Sequence, residues 1–257
     1  MVNQTLIPTE KKYPERQVLN DKLTSWELVV PSYKPQLYPN FELIAERLLD
    51  QGIEVADVSI LRKLAWLSTA QATEIVGPNI AEIRHPLGRT GINGTGIYYK
   101  AGKSQTADMA ILRDERYNGL ELVLVYNRGK WRLPGGFIDP ADNGDLRTTA
   151  IREGIEETGL DLTPIANQVE TLIPEHVKPN SSRSVDMGYV TSQVEYVVLL
   201  EAEMGDGLKA SDDAEEAEWF DASTVLIMGH DGRMSKDHHE FALNAFRAAQ
   251  EQKKTKQ

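Results

Sequence analysis

The carboxylates most suited to chemistry lie in one short segment, which contains Glu153, Glu156 and Glu157. Because they stand at i, i+3 and i+4, a helix would place all three on one face. Like charges at this spacing repel by roughly a few tenths of a kcal/mol per pair, so the cluster needs a counter-charge. Arg152 supplies one from four residues before Glu156, and a hard divalent cation with oxygen ligands would supply the rest. The spacing therefore favours a metal site over the salt-bridged solvent face that charge runs usually form.

The elements around this segment follow an α/β pattern. Short apolar runs rich in branched residues predict four strands: Met109–Leu112, Leu120–Tyr126, Val194–Met204 and Ala217–Phe220. The helix that carries the glutamates is predicted over Leu146–Thr158, with Asn143 or Asp145 as its N-cap and Gly159 at its end. An amphipathic helix is expected over Lys236–Gln250, and the residues after it are expected to fray.

The first hundred residues have a different character. Residues 1–38 are rich in proline and irregular, after which apolar periodicity predicts a short helix from Phe41 to Leu49 and a second over about Ile60–Ile75. The glycine-rich stretch Gly88–Gly96 is a loop by composition. Its glycine spacing does not match a dinucleotide fingerprint, which favours a structural turn over a phosphate cradle.

Composition excludes several classes of function. The chain has 257 residues, a net charge of −11 and no cysteine. Its acidity argues against nonspecific binding to nucleic acid, because phosphate neutralisation requires a basic surface. Without cysteine there are no disulfides and no thiolate zinc sites, which suits a reducing cytosol. No apolar run is long enough to span a membrane and no targeting segment is evident, so we expect a cytoplasmic protein.

The glutamate segment resembles the signature of the Nudix hydrolases, Gly-x5-Glu-x7-Arg-Glu-apolar-x-Glu-Glu-x-Gly-apolar. The second half, which begins at Arg152, matches at every fixed position. The first half departs from the pattern, because Gly136 lies two residues too far from Arg152 and no glutamate follows it at the required distance. A two-residue insertion would explain this, with Asp142 or Asp145 in place of the missing glutamate. Gly154 also stands where the family has a bulky apolar residue.

The flanking sequence resembles the ADP-ribose pyrophosphatases of the mitochondrial animal type and the related ADP-ribose-sensing domain of a melastatin-type cation channel. The matching stretches are Tyr33-Lys34-Pro35, Arg84-x-Pro86-x-Gly88-Arg89-Thr90-Gly91, Leu133-Pro134-Gly135-Gly136-x-x-Asp139-Pro140, and Asp212-Asp213-Ala214 followed by Trp219. The resemblance implies an α/β (α+β) Nudix fold, with a mixed sheet between helices. It also implies a smaller N-terminal cap or substrate domain over residues 1–105 and a catalytic domain over 106–257.

The resemblance also implies roles for the glutamate segment. Glu153 and Glu157, one turn apart, would be the principal ligands of Mg²⁺ or Mn²⁺, and the backbone carbonyl of Gly135 would join them. Glu156 would be a further ligand or a base acting through water, and Arg152 would orient the carboxylates. Such an ion neutralises phosphoryl charge and lowers the pKa of bound water, as pyrophosphate hydrolysis requires.

A later segment resembles the family motif that lies against ADP-ribose. It matches at Arg183, Asp186 and Tyr189, with Ser181 in place of an aspartate. Arg183 would bind a phosphate, Asp186 would accept from the ribose hydroxyls and Tyr189 would pack on the adenine. Asp213 is a further candidate for substrate binding. The alternative is a turn with an exposed arginine and a core tyrosine.

Three functions fit these patterns. The first is metal-dependent hydrolysis of the small-molecule substrate ADP-ribose to AMP and ribose 5-phosphate. The second is an ADP-ribose-binding sensor module with little or no turnover, which the altered first half of the signature keeps open. The third is hydrolysis of another nucleoside diphosphate, such as NADH or a nucleotide sugar. We expect a monomer or homodimer that binds neither nucleic acid nor a membrane.

Overall fold

The computed structural model describes residues 14–97, 100–115, 119–178, 184–199, 207–212 and 214–255. The chain divides into two compact units. One consists of Met1–Ser104 and Val177–Thr191, the other of Gln105–His176 and Ser192–Gln257. The first junction lies beside the boundary predicted between residues 105 and 106, whereas the second segment of the first unit was not foreseen. That these units are the two expected domains stays a prediction.

The first unit is built from short helices around a core of its own. Its helices are α1 (Phe41–Leu49), α2 (Val58–Trp66), α3 (Thr69–Val76) and α4 (Ile80–Ile83), after a 3-10 turn at Asp21–Leu23. Asn40 begins α1 by accepting a hydrogen bond from the Leu43 N–H, as N-cap residues do. Ile44 and Leu48 of α1 are fully buried in this core. The helix predicted from Phe41 to Leu49 is therefore confirmed.

The single helix predicted over Ile60–Ile75 is wrong, because two helices occupy that stretch. The break lies at Ser68, whose extended backbone begins α3 and whose Oγ accepts from the Gln71 N–H at 3.3 Å. Arg84 and Arg89 donate to the carbonyl oxygens at the end of α2, so the interrupted backbone is satisfied by buried guanidinium groups. The apolar periodicity continues across the break, which is why the sequence pattern did not reveal it.

The second unit holds most of a mixed sheet flanked by helices. The strands are β1 (Gly102–Glu115), β2 (Gly119–Asn127), β3 (Lys130–Arg132), β4 (Gly135–Phe137), β5 (Glu170–Val177), β6 (Gly188–Leu199) and β7 (Glu216–Asp221). The order is β3-β2-β1-β6-β5, with β4 paired to β1 and β7 to β2. The helices are α5 (Leu146–Thr158), α6 (Ala222–His230) and α7 (Lys236–Thr255), and 3-10 turns occur at Pro140–Asp142 and Thr163–Gln168. The expected α/β class and mixed sheet are confirmed.

Each face of this sheet packs against different helices, because side chains alternate along a strand. Ala107 and Met109 of β1 lie in the apolar cluster that includes Ala150 of α5. Ala110 and Leu112 lie in the opposite cluster, which contains buried side chains of α6 and α7. The alternation in β1 therefore fixes α5 against one face of the sheet.

Three of the predicted strands lie within β1, β2 and β7, the strand predicted from Val194 begins within β6, and the helix over Leu146–Thr158 has the predicted bounds. The predicted end of the third strand, at residues 200–204, lies outside the described residues. The strands β3 and β4 have three residues each, too few for a periodic signal, and β5 has its polar and apolar residues in groups rather than in alternation; none of them was predicted.

Fraying after Gln250 was a wrong prediction as far as Thr255, where α7 ends, and residues 256 and 257 lie outside the described part of the chain. The Nζ of Lys253 lies 2.7 Å from Asp114 Oδ2, and this ion pair fastens the last turns of the helix to β1. No described helix combines the length and the apolar character needed to cross a bilayer.

Candidate active site

The two ends of the glutamate helix α5 are set by an N-cap residue and a glycine. Asp145, in an extended conformation, caps its start by accepting from the Arg147 N–H at 3.0 Å. This excludes Asn143, the other candidate, which takes the left-handed conformation with φ +52°. Gly159 ends the helix with φ +70°, a conformation that glycine adopts without strain.

Two glutamates of α5 converge on one nitrogen. Glu153 Oε1 and Glu156 Oε2 both accept from Nη1 of Arg152 at 2.8 Å. The ion pair expected between Arg152 and Glu156 is therefore present. The side chain of Glu153 is 12% exposed and that of Glu156 is 44% exposed, so solvent reaches the pair mainly from the side of Glu156.

Glu157 has a different environment, although it lies on the same helix. Its side chain is 1% exposed. It accepts from Arg132 Nη2 at 2.6 Å and from the Gly135 N–H at 2.9 Å. Glu157 therefore connects α5 to β3 and β4. The sequence suggested that Glu153 and Glu157 act as a pair, whereas in the structure Glu153 lies together with Glu156. Arg132 was not among the predicted residues, because an arginine on a three-residue strand gives no pattern.

The loop before α5 places Asp142 against Arg152. Arg152 Nε and Nη2 donate to the two oxygens of Asp142 at 3.0 Å each, a forked arrangement that favours both charges. Asp142 also accepts from Thr149 Oγ1 and from the Asp139 N–H, both at 2.9 Å. Of the two candidates for the missing glutamate, Asp142 thus lies beside the signature arginine, whereas Asp145 serves as a helix cap.

The double glycine of β4 makes room for this arrangement. A Cβ on Gly136 would overlap the carboxylate of Glu153, and a Cβ on Gly135 would come within 2.6 Å of Asp108 Oδ1. Gly154, the unusual residue within α5, is buried. A Cβ there would lie 3.0 Å from Leu162 Cδ1 and 3.3 Å from Met109 Cγ, so a larger residue would require these side chains to shift.

Charge and burial shift the pKa values of the site in opposite directions. The Arg152 guanidinium lowers the pKa of Asp142 to about 2, while burial raises the pKa of Glu153 above its ordinary value. Glu156 and Asp212 add to the rise at Glu153 because both carry negative charge. The hydrogen bond to Asp142 raises the pKa of Arg152, which stays protonated. Glu153 is thus the carboxylate of this group that most needs additional positive charge.

The charge balance indicates whether a metal ion would fit. In the ion pairs described at this site, four carboxylates (Asp142, Glu153, Glu156 and Glu157) share two guanidinium groups (Arg132 and Arg152), so negative charge is in excess among these groups. A divalent cation would cancel that excess, and oxygen donors suit Mg²⁺ and Mn²⁺. With the arginines in these positions, no three acidic or histidine side chains among the described residues are gathered around one point that could hold a metal. The donor chemistry fits an ion, and Arg152 Nη1 occupies the point where two of the donors meet.

A loop after β6 lies over the end of α5. The Lys209 N–H donates to the Thr158 carbonyl at 2.9 Å, and the Ser211 N–H donates to that of Glu157 at 3.3 Å. These bonds satisfy carbonyl groups that a helix end leaves free. They also hold Asp212 close enough to influence Glu153 electrostatically. Asp213, the predicted substrate residue, lies outside the described residues.

Two of the predicted substrate residues, Asp186 and Tyr189, are described, and both lie in the first unit. Arg183 lies outside the described residues. Asp186 is 1% exposed and its carboxylate accepts from Tyr33 and Thr90, so no oxygen faces solvent. Tyr189 is 9% exposed and meets the ring of His85 edge-on, with the centroids 5.4 Å apart. The predicted ribose contact of Asp186 therefore has no geometric support, and the role of Tyr189 stays a prediction.

Fold and site define an α/β chain that presents ion-paired carboxylates on one helix beside a double-glycine strand. The family model of the NUDIX domain matches residues 103–243, which is more than half of the sequence. The chain therefore belongs to the Nudix hydrolase family, and the resemblance of its glutamate segment to the family signature is confirmed.

The chain is similar to proteins of two kinds, among others. Two are named ADP-ribose pyrophosphatase. That of Methanocaldococcus jannaschii is 32% identical over 46% of this chain and 63% of its own length. The mitochondrial protein of Rattus norvegicus is 26% identical over 56% of this chain and 49% of its own length. A transient receptor potential cation channel subfamily M member-like protein of Nematostella vectensis is 21% identical over 68% of this chain and 12% of its own length. The chain thus spans less than two thirds of each relative.

Proposed function

We propose that this chain is a metal-dependent pyrophosphatase that hydrolyses ADP-ribose to AMP and ribose 5-phosphate. The observation that carries the proposal is the convergence of Glu153 and Glu156 on one cationic nitrogen, beside a glycine that leaves room for Glu153. The names of the two pyrophosphatase relatives support ADP-ribose as the substrate. In the reaction one P–O bond of the pyrophosphate breaks, and the oxygen of water forms the new bond to phosphorus.

We assign different roles to the residues of the site. Glu153 would hold Mg²⁺ or Mn²⁺ together with Glu157, through the oxygen that Arg132 binds, or together with Glu156. The ion would neutralise phosphoryl charge and lower the pKa of bound water. Arg152, fixed by Asp142, orients Glu153 and Glu156. Glu156 is the most exposed of the three glutamates. We assign to it one of two roles: it makes a further contact to the metal, or it accepts the proton that the attacking water releases.

The remaining assignments come from the family resemblance. Gly135 would add its carbonyl oxygen to the metal, Arg183 would bind a phosphate, Tyr189 would pack on adenine, and Asp213 would contact substrate. The cytoplasm stays the expected compartment, and a monomer or homodimer the expected assembly.

The test is release of AMP from ADP-ribose with Mg²⁺, comparing the wild type with Glu153→Gln and Glu157→Gln. We expect kcat of each variant to fall about a hundredfold or more. Each change removes a carboxylate that would bind the metal ion at the reacting phosphate or hold the neighbouring groups in position. Glu216→Gln, an exposed change on β7, is the matched control and should keep wild-type activity. Thermal unfolding curves separate loss of activity from loss of fold.

Other outcomes would change the assignment. Full activity of Glu153→Gln would contradict the proposed mechanism. Tight binding of ADP-ribose without turnover in the wild type would make the chain a sensor module. Faster cleavage of NADH or a nucleotide sugar than of ADP-ribose would keep the chemistry and replace the substrate.

A further inference from the structure

Asp186 lies in a tight turn that leads directly into β6. The Val185 N–H donates to the Gly188 carbonyl at 2.8 Å, and the Gly188 N–H donates back to the Val185 carbonyl at 3.2 Å. Tyr189, the residue assigned to adenine above, is the second residue of β6. Whatever fixes this turn therefore also fixes the backbone on which Tyr189 stands.

Neutral donors converge on the Asp186 carboxylate. The Tyr33 hydroxyl lies 2.9 Å from both of its oxygens. Thr90 donates its N–H at 2.9 Å and its hydroxyl at 3.1 Å to Oδ1. The Tyr33 oxygen in turn accepts the Gly91 N–H at 2.8 Å. Tyr33 is fully buried, so it joins the turn to the glycine-rich loop from inside the unit.

The backbone of the turn is fixed to the same loop. Asp186 donates its N–H to the Ile92 carbonyl and accepts at its own carbonyl from the His85 N–H, both at 2.9 Å. The Met187 N–H donates to the Gly94 carbonyl at 2.9 Å. His85, held in this way, contacts the Tyr189 ring in a T-shaped arrangement. Side-chain and backbone bonds thus form one continuous support from Tyr33 to Tyr189.

We propose that Asp186 is a positioning residue: through Tyr33 and Thr90 it fixes the turn that orients Tyr189 for the nucleotide, and it does not contact ribose. This rests on the proposed function, in which Tyr189 packs on adenine. A carboxylate suits the task because it accepts several hydrogen bonds at once, whereas a ribose ligand would need a free oxygen. The Asp186 oxygens already accept from Tyr33 and Thr90, and the residue is inaccessible to solvent.

The experiment measures KM and kcat for ADP-ribose in the wild type, Asp186→Asn, Tyr33→Phe, Tyr189→Leu and the double variant Asp186→Asn/Tyr189→Leu. Tyr33→Phe removes one hydroxyl and keeps the ring, so it tests the support even if Asp186→Asn folds poorly. We expect both Asp186→Asn and Tyr33→Phe to raise KM about fivefold, with kcat within about twofold. On the Tyr189→Leu background, Asp186→Asn should add almost nothing, because coupled residues are not additive. Asp50→Asn, exposed after α1, is the control and should keep the wild-type KM.

The outcomes separate the two proposals. An active wild type in which Tyr33→Phe keeps the wild-type KM overturns the positioning role alone. So does an Asp186→Asn effect that persists undiminished without Tyr189, as a ribose ligand would produce. Lower thermal stability without a change in KM would reduce Asp186 to a structural residue and overturn the positioning role as well. A wild type that neither binds nor cleaves ADP-ribose overturns the proposed function, and this inference with it.

Discussion

Asp142 and Asp186 are both shielded from solvent, but Asp186 lies deeper and the two differ in charge environment. Asp142 is 3% exposed and Asp186 is 1% exposed. Hydrogen bonds from Arg152 hold the pKa of Asp142 at about 2, whereas burial among neutral donors raises the pKa of Asp186 to about 6. Deep burial therefore raises the pKa of one carboxylate, and a guanidinium partner lowers the pKa of the other.

The two units use arginine differently as well. In the unit of α5, Arg132 and Arg152 pair with carboxylates. In the other unit, the buried Arg84 and Arg89 donate to backbone carbonyl oxygens and stack on Trp26, with their guanidinium carbons 4.2 and 4.5 Å from the ring centroid. The first arrangement concentrates charge suited to metal chemistry, and the second holds loops together.

Arg152→Met gives the largest expected effect, because it removes the counter-charge of three carboxylates at once. Unfolding in urea at pH 7 should show a loss of about 3 kcal/mol, the low end of the range found when one partner of a buried ion pair is deleted, because the Arg152 side chain is 26% exposed. Arg247→Met, on the exposed side of α7, is the control and should change stability by less than about 0.5 kcal/mol. An equally small effect for both would mean that the carboxylates of α5 need no guanidinium.

Asp186→Asn should sharpen the contrast through pH. The folded-state pKa of about 6 lies above the ordinary value of 3.8, so this group contributes stability below about pH 4 that is lost as pH rises through 6. The stability of the wild type relative to Asp186→Asn should therefore fall by about 2 kcal/mol between pH 4 and 7. Urea titrations at several pH values measure this difference. A difference that stays constant would show that the native pKa of Asp186 is not raised.

Asp142→Asn should show the opposite sign. The folded-state pKa of about 2 lies below 3.8, so the contribution of Asp142 is present above about pH 4 and is lost as pH falls towards 2. We expect the variant to be about 2 kcal/mol less stable than the wild type at pH 7, and the gap to close in acid. AMP release should also fall, because Arg152 loses its anchor. A gap that widens in acid would contradict the ion pair with Arg152.

The sequence predicted α5 well because its signals are local: a cap at Asp145, a stop at Gly159 and a known spacing of glutamates. It could not predict that Glu157 turns to Arg132, since that contact joins residues 25 positions apart. The role of Asp186 escaped for the same reason, because its partner Tyr33 lies 153 positions away. The break between α2 and α3 was hidden because the apolar pattern continues across Ser68. Features that local propensity and residue spacing determine, such as the bounds of α5, were predictable. The partners of buried charges were not, because they depend on tertiary contacts.

Asp145 gives the smallest effect and tests which aspartate replaces the missing glutamate of the signature. It lies three residues after Asp142, yet it is exposed and serves only the start of α5, accepting from the Arg147 N–H at 3.0 Å and from Thr148 Oγ1 at 2.9 Å. Asp145→Ala should therefore lower the free energy of unfolding by about 1 kcal/mol, as loss of an N-cap does, and Asp145→Asn by only a few tenths. AMP release by both should stay within about twofold of the wild type, because neither change touches Arg152. If Asp145→Ala instead lost as much activity as Asp142→Asn, the start of α5 would control the position of the glutamates, and the hydrogen bonds between Asp142 and Arg152 would not. The contrast between Asp142 and Asp186 would then no longer separate a role in charge chemistry from a role in structural support.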